Sequence, residues 1–223
     1  MPDRKRLPLF AAQPISPRMS VLLAIDTAAP RLQLALLRDG DRVDTLLEDM
    51  ATGQAERLFP ALAELFARAG VTYADLTRIA VTTGPGSFTG LRIGLSAARG
   101  LGLARNIPVL GIPSLLALSL PAQCDAVAVL LDARRDEAYF QTFSGPGIPI
   151  GVPLLLPIAE ARRRVPHGAV TLTSPFVDIA ALARFAALAD PAAYPPEAAY
   201  IRDADAKPQE KFRVARVSGD AAA

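Results

Sequence analysis

The sequence predicts an α/β layer structure with parallel strand pairing. Three observations lead there: an apolar run ending in the polar pair Asp26 and Thr27, a strand–glycine loop–helix–strand unit over residues 78–112, and a restart of strand patterning after residue 121. A strand followed by a crossover helix normally returns to the same sheet in parallel. The chain has 223 residues, 51% of them hydrophobic, with 24 Lys and Arg against 22 Asp and Glu. That balance excludes a disordered chain, which needs less apolar content and a larger charge imbalance.

In chain order, residues 20–27 read as a buried strand that delivers Asp26 and Thr27 to its C-terminal end. Residues 31–38 alternate through Leu32, Leu34 and Leu36, and Asp39-Gly40 signals a turn into a third strand near 42–47. Over 55–69, Leu58, Phe59, Leu62, Leu65, Phe66 and Ala69 follow a helical period that Gly70 stops. Residues 78–83 form a strand running into the glycine loop 84–90, followed by a helix over 91–105, a strand at 108–112 and a short helix at 114–119. Past a linker at 121–125 come strands at 126–131 and 138–143 and helical stretches near 158–164 and 177–189. The organisation expected is a disordered basic arm at 1–18, a first lobe at 19–120, a smaller second lobe at 121–208 and a disordered tail at 209–223.

Counting removes several chemistries. The single Cys124 excludes an internal disulfide and a Cys-based zinc cluster, and the single His167 excludes a histidine-pair metal site. His167 sits in a polar, turn-prone stretch and reads as a surface residue. No apolar run approaches the ~20 residues that cross a bilayer, and the cysteine usage suits a reducing cytoplasm. Positive charge gathers in the first 18 residues, where Arg4, Lys5, Arg6 and Arg18 stand against Asp3, so the remainder lacks the basic face of a nucleic-acid-binding domain. Met19, just before the first strand, reads as an alternative start.

The sharpest motif is Gly84-Pro85-Gly86-Ser87-Phe88-Thr89-Gly90. Glycines between a strand and a helix permit close backbone approach, and a helix N-terminus favours an anion. This makes Gly84, Gly86, Ser87, Thr89 and Gly90 candidate nucleotide- or anion-binding positions, with Asp26 and Thr27 at a neighbouring strand end and Arg92 in the first helical turn. The loop matches neither the P-loop nor the dinucleotide fingerprint, and a tight turn whose Ser87 or Thr89 caps the helix explains it equally well. Ser87 has no nearby histidine base, so nucleophilic catalysis gains no support. The apolar stripe of the 55–69 helix reads either as core or as a face for a partner.

Seven segments in order, 22–28, 56–60, 83–94, 98–104, 107–115, 131–139 and 200–208, closely resemble the TsaB (YeaZ) family; the block around 84–90 is highly specific. The resemblance implies an actin-like, sugar-kinase and Hsp70-like fold of two ribonuclease-H-like lobes, with the second reduced here. It implies an accessory role in making threonylcarbamoyladenosine 3′ to the anticodon of tRNA, without catalytic residues, metal or intrinsic cofactor. The partners implied are a TsaD-like catalytic subunit and a TsaE-like ATPase, with tRNA met through the complex, a homodimer when the chain is alone, and ATP or ADP at the shared interface. Pairing falls on the helices at 55–69 and 89–105, with Leu58, Phe59, Leu62, Phe66 and Leu95 as expected anchors. The chain departs from the family at Gln54, where many members have His, in its short C-terminal half and in its extended amino end. The alternative is a small ATP-dependent phosphotransferase or ATPase of the same fold; a metallopeptidase is disfavoured by the missing histidine pair.

Overall fold

The computed structural model describes residues 20–199 and residue 201; the calls made for the arm at 1–18 and the tail at 209–223 lie outside them. Five strands form the first sheet: β1 (Val21–Asp26), β2 (Arg31–Arg38), β3 (Arg42–Asp49), β4 (Leu76–Thr82) and β5 (Val109–Ile112), in the order β3-β2-β1-β4-β5. β1 to β3 form an antiparallel meander, while β1, β4 and β5 run parallel. Helices α1 (Gln54–Ala69) and α2 (Phe88–Arg105) supply the crossovers. α1 starts after Gly53 and ends at Gly70, both in the left-handed conformation that glycine adopts without strain.

One face of this sheet packs on α1 and α2 through Leu23, Ile25, Leu32, Leu34, Leu58, Leu62, Leu65, Phe66 and Leu95. The expectation that Leu58, Leu62 and Phe66 present a partner surface is therefore corrected. They are 1%, 0% and 3% exposed, because the amphipathic stripe faces its own sheet. Leu95 is also buried, and of the five expected anchors only Phe59, 51% exposed, points outward.

The second sheet has the order β8-β7-β6-β9, from β6 (Val127–Arg134), β7 (Glu137–Phe143), β8 (Pro149–Pro157) and β9 (Val170–Leu172). β8 and β9 are findings beyond the sequence reading. Pro149, Pro153 and Pro157 suit an edge strand, where missing N–H donors break no ladder and discourage pairing with other chains. The short helix α3 (Ser114–Ser119) and α5 (Ile179–Leu188) fill the space between sheets; α4 (Ile158–Arg163) covers the outer face of the second.

Although α5 lies late in the chain, it packs against β1 and β2 of the first sheet. Arg78 Nη1 on β4 donates to the carbonyls of Ala186, Ala187 and Ala189 at its C-terminal end. Arg184 pairs with Asp41 at 2.8 Å. One apolar core, from Leu22 and Ala80 through Leu115 and Leu118 to Val129, Phe143 and Leu182, thus joins the two lobes.

Candidate functional site

A cleft of about 660 Å³ lies between the sheets. One wall comes from the β1–β2 turn (Ala28, Ala29, Pro30) and the loop leading into α2 (Pro85 to Phe88); the other from the end of β6 (Leu131 to Arg134), Tyr139, Thr173, Pro175 and Val177. The Arg31 guanidinium, on β2, stacks 4.0 Å from the centre of the Phe176 ring and so ties the 173–177 segment to the first sheet. The volume falls within the range of small-molecule sites.

Of the eight residues expected to bind an anion, Asp26, Gly86 and Ser87 line this cleft. Asp26 is 1% exposed at the end of β1. Oδ1 accepts from Thr82 Oγ1 at 2.6 Å and from the Ala28 N–H at 3.1 Å, and Oδ2 accepts from Gln33 Nε2 at 2.8 Å. Burial pushes its carboxyl above the usual aspartate value, against the opposing pull of those three hydrogen bonds.

Thr27 is buried behind the wall, its hydroxyl donating to the Gly90 carbonyl at 2.7 Å. The glycine loop presses on that strand end. A Cβ built on Gly90 would lie 1.9 Å from the Thr27 carbonyl oxygen, one on Gly86 2.8 Å from Ala28 Cβ, and one on Gly94 2.6 Å from Thr27 Oγ1. The Ser87 N–H donates to the Ala28 carbonyl at 2.7 Å, and Ser87 Oγ caps α2 by accepting from Gly90 N. Gln54 ties α1 to the same place, donating to the Ala29 carbonyl at 2.9 Å. The capping alternative thus accounts for Ser87, and close packing of α2 on β1 accounts for Gly86, Gly90 and Gly94. Gly84, with φ 106, is buried, and its carbonyl accepts from the Ser114 N–H.

Thr89 is exposed at the start of α2. Arg92 stacks on Phe88 at 3.8 Å and, with Leu95, Ser96, Arg99 and Ala198, lines a separate groove on the outer face of α2. Sequence reasoning did not assign Ser114, Asp132, Arg134 or Tyr139 to a site. Asp132, ending an apolar strand as Asp26 does, was the available signal. Arg134, Arg135 and Asp136 have φ of 62°, 55° and 59°, a left-handed run of non-glycine residues that turns β6 into β7 beside the cleft. His167 is exposed, and no group of three or more metal-ligating side chains occurs among the described residues.

Residues 48–146 match the family described as tRNA N6-adenosine threonylcarbamoyltransferase, TsaD. The TsaB proteins of Escherichia coli and Haemophilus influenzae are 32% and 35% identical over 126 and 124 residues. A solved structure of YeaZ from Pseudomonas aeruginosa superposes with a TM-score of 0.69 at 27% identity, covering 82% of this chain and all of that one. The chain is related to TsaB/YeaZ. An uncharacterised Mycobacterium bovis protein is 40% identical over 129 residues. The alignment spans 56% of this chain and 60% of that relative, and 55% of this chain and 54% of the E. coli protein. For H. influenzae TsaB the shares are 53% and 52%. The TsaB-like chain carries the reduced two-lobe architecture that the resemblance implied.

Proposed function

We propose that the chain is an accessory subunit in threonylcarbamoyladenosine biosynthesis on tRNA, pairing through the outer face of α1 and α2 with a TsaD-like catalytic subunit that a TsaE-like ATPase joins. The observation carrying this reading is apolar surface left open on two helices whose inner faces build the core. Phe59 on α1 and Phe88 and Leu103 on α2 are 51%, 53% and 86% exposed. On α2, Phe88, Arg92, Ser96, Arg99 and Leu103 recur every three or four residues, forming one stripe with apolar ends and basic positions between. Aromatic and arginine side chains commonly anchor protein interfaces. The names of the TsaB relatives and the TsaD-family match support the pathway.

In this reading the chain contributes no reacting group, ATP or ADP belongs to the assembled interface, and tRNA is met through the complex. The same face would serve a homodimer when the partner is absent. Among the described residues no helix is long and apolar enough to cross a membrane. A role on tRNA would put the protein in the cytoplasm.

The test is reconstitution with the TsaD-like and TsaE-like subunits of the same organism, following threonylcarbamoyladenosine formation. Omitting the chain should abolish modification, and Phe59→Asp should abolish co-purification with the TsaD-like subunit while leaving the circular dichroism unchanged. Full modification without the chain, or turnover of ATP by the chain alone, would overturn the reading and favour the phosphotransferase alternative.

A further inference from the structure

After α5 the chain returns to the first lobe. The Tyr194 carbonyl accepts from the Gly111 N–H on the edge strand β5 at 2.9 Å, and the Ala199 N–H donates to the Thr83 carbonyl at 2.8 Å. Tyr194 also packs edge-on against Phe185 of α5, with ring centres 5.6 Å apart. Residues 194–199 thus form a strap along the open edge of the first sheet. Its Ala198 packs on the core beneath α1 and α2 and, with Arg92, Leu95, Ser96 and Arg99 of α2, encloses a groove of about 430 Å³.

Two features of this groove specify its occupant. Its floor is apolar, from Leu95 and Ala198, and its rim is basic. Arg92 and Arg99 are exposed on one face of α2, about two helical turns apart, and neither has a carboxylate partner among the described residues. The strap delivers the chain to that rim. Past Ile201 the sequence continues Arg202, Asp203, Ala204, Asp205. An extended chain advances about 3.3–3.6 Å per residue, which lets Asp203 and Asp205 reach about 7 and 14 Å beyond Ile201. The rise of the helix from Arg92 to Arg99 is about 10 Å. Alternate residues of an extended chain point to the same side, so both carboxylates can face the helix together. Arg202 and Lys207 flank the pair, which confines the acidic stretch to residues 203–205.

We propose that residues 203–205 of this chain dock on the α2 groove, the Asp203 and Asp205 carboxylates facing Arg92 and Arg99, so that the chain covers part of its own outer helical face. A partner or a second copy using that face has to displace this segment first. Exposed ion pairs are individually weak, but tethering a few residues from the groove gives the segment a high local concentration there. The contact is made within one chain, so it stands or falls independently of the pairing proposed above.

The test follows trypsin cleavage after Arg202 in the isolated full chain, with release of the remaining C-terminal residues read by mass spectrometry. A docked segment resists cleavage, because a protease needs the chain free on both sides of the bond it cuts. Arg92→Gln/Arg99→Gln should be cleaved about fivefold faster than the wild type, a difference that shrinks in high salt. Arg162→Gln/Arg163→Gln, on the exposed side of α4, removes the same charge elsewhere and should leave the rate unchanged. In an Asp203→Lys/Asp205→Lys background, the added change Arg92→Glu/Arg99→Glu should slow release instead of speeding it. Circular dichroism checks that each variant folds; because Arg92 also stacks on Phe88, Arg99→Gln alone decides if the double variant does not. Equal rates in the wild type and the α2 variants, or no reversal in the lysine background, overturn the proposal. Protection that grows with protein concentration overturns it as well, and assigns the groove to a second copy.

Discussion

The hydroxyl of Thr27 donates to the carbonyl of Gly90 at 2.7 Å across 63 residues of sequence. The bond locks the end of β1 to the first turn of α2, and the glycine carries it because no side chain fits between them. The loop motif that reads as a ligand cradle is, at these positions, the means by which a helix approaches a strand end. The position of that helix in turn sets one wall of the inter-lobe cleft.

Gly90→Ala is therefore expected to destabilise the chain severely. A methyl group 1.9 Å from the Thr27 carbonyl oxygen forces backbone apart rather than a flexible side chain aside. The loss should be about 3 kcal/mol or more. Gly100, on the same helix, has nothing within 4 Å of its built Cβ and no positive φ. Gly100→Ala should stabilise by about 0.5–1 kcal/mol. Urea unfolding of both variants checks the pair; equal effects would contradict the packing account.

Asp26 sets a pH dependence of definite sign. Its folded carboxyl titrates above the ordinary aspartate value, chiefly because of burial. The folded state therefore binds the proton more tightly than the unfolded state. That contribution is fully present below the unfolded value and is lost as pH rises through the folded one. Asp26→Asn should remove it, so the stability of the wild type relative to the variant should fall as pH rises from the ordinary aspartate value through the raised folded one. Unfolding free energies across pH 3–7 measure the difference, and a wild type gaining on the variant with rising pH would contradict the direction.

Much of the first lobe was legible because its signals are local. β2 runs from Arg31 to Arg38 as its alternation predicts, and α1 ends at the glycine that its period called for. Nothing local marks β8, because three prolines in nine residues argue against a strand; they are tolerated on an edge strand, a fact of topology rather than of local pattern. The period in α1 revealed a buried stripe without saying what buries it. Phe66 went to its own sheet and Phe59 to solvent. Ser114 and Arg134 were invisible as a pair, since nothing within the sequence brings a helix start and a hairpin turn to one cleft.

Phe59 and Phe66 are expected to separate function from folding. Phe66 is 3% exposed and stacks on Tyr73 with ring centres 4.4 Å apart. Phe66→Asp places a carboxylate in the core and should cost about 3–5 kcal/mol or more. Phe59→Asp, on the solvent side of α1, should change stability by no more than about 0.5 kcal/mol. Urea unfolding tests both without requiring any partner; a large loss from Phe59→Asp would show that this side chain serves the fold.

Arg78 is the most distant test of how the lobes are joined. Its Nη1 lies 2.7, 3.2 and 2.9 Å from the carbonyls of Ala186, Ala187 and Ala189, which the α-helical pattern leaves without internal donors. A guanidinium there satisfies carbonyls and complements the negative end of the helix dipole. Arg78→Met retains the stem while removing the donors, and should cost about 1.5–3 kcal/mol. The effect should be local before it is global, because α5 keeps its apolar contacts through Leu182, Ala183 and Ala186. Amide hydrogen exchange is expected to accelerate most over 183–189, and less over β1, which is held by both neighbouring strands. Uniform acceleration across both regions would mean that α5 and the first sheet unfold as one unit, and the guanidinium would then contribute to the whole fold rather than to the seating of this helix.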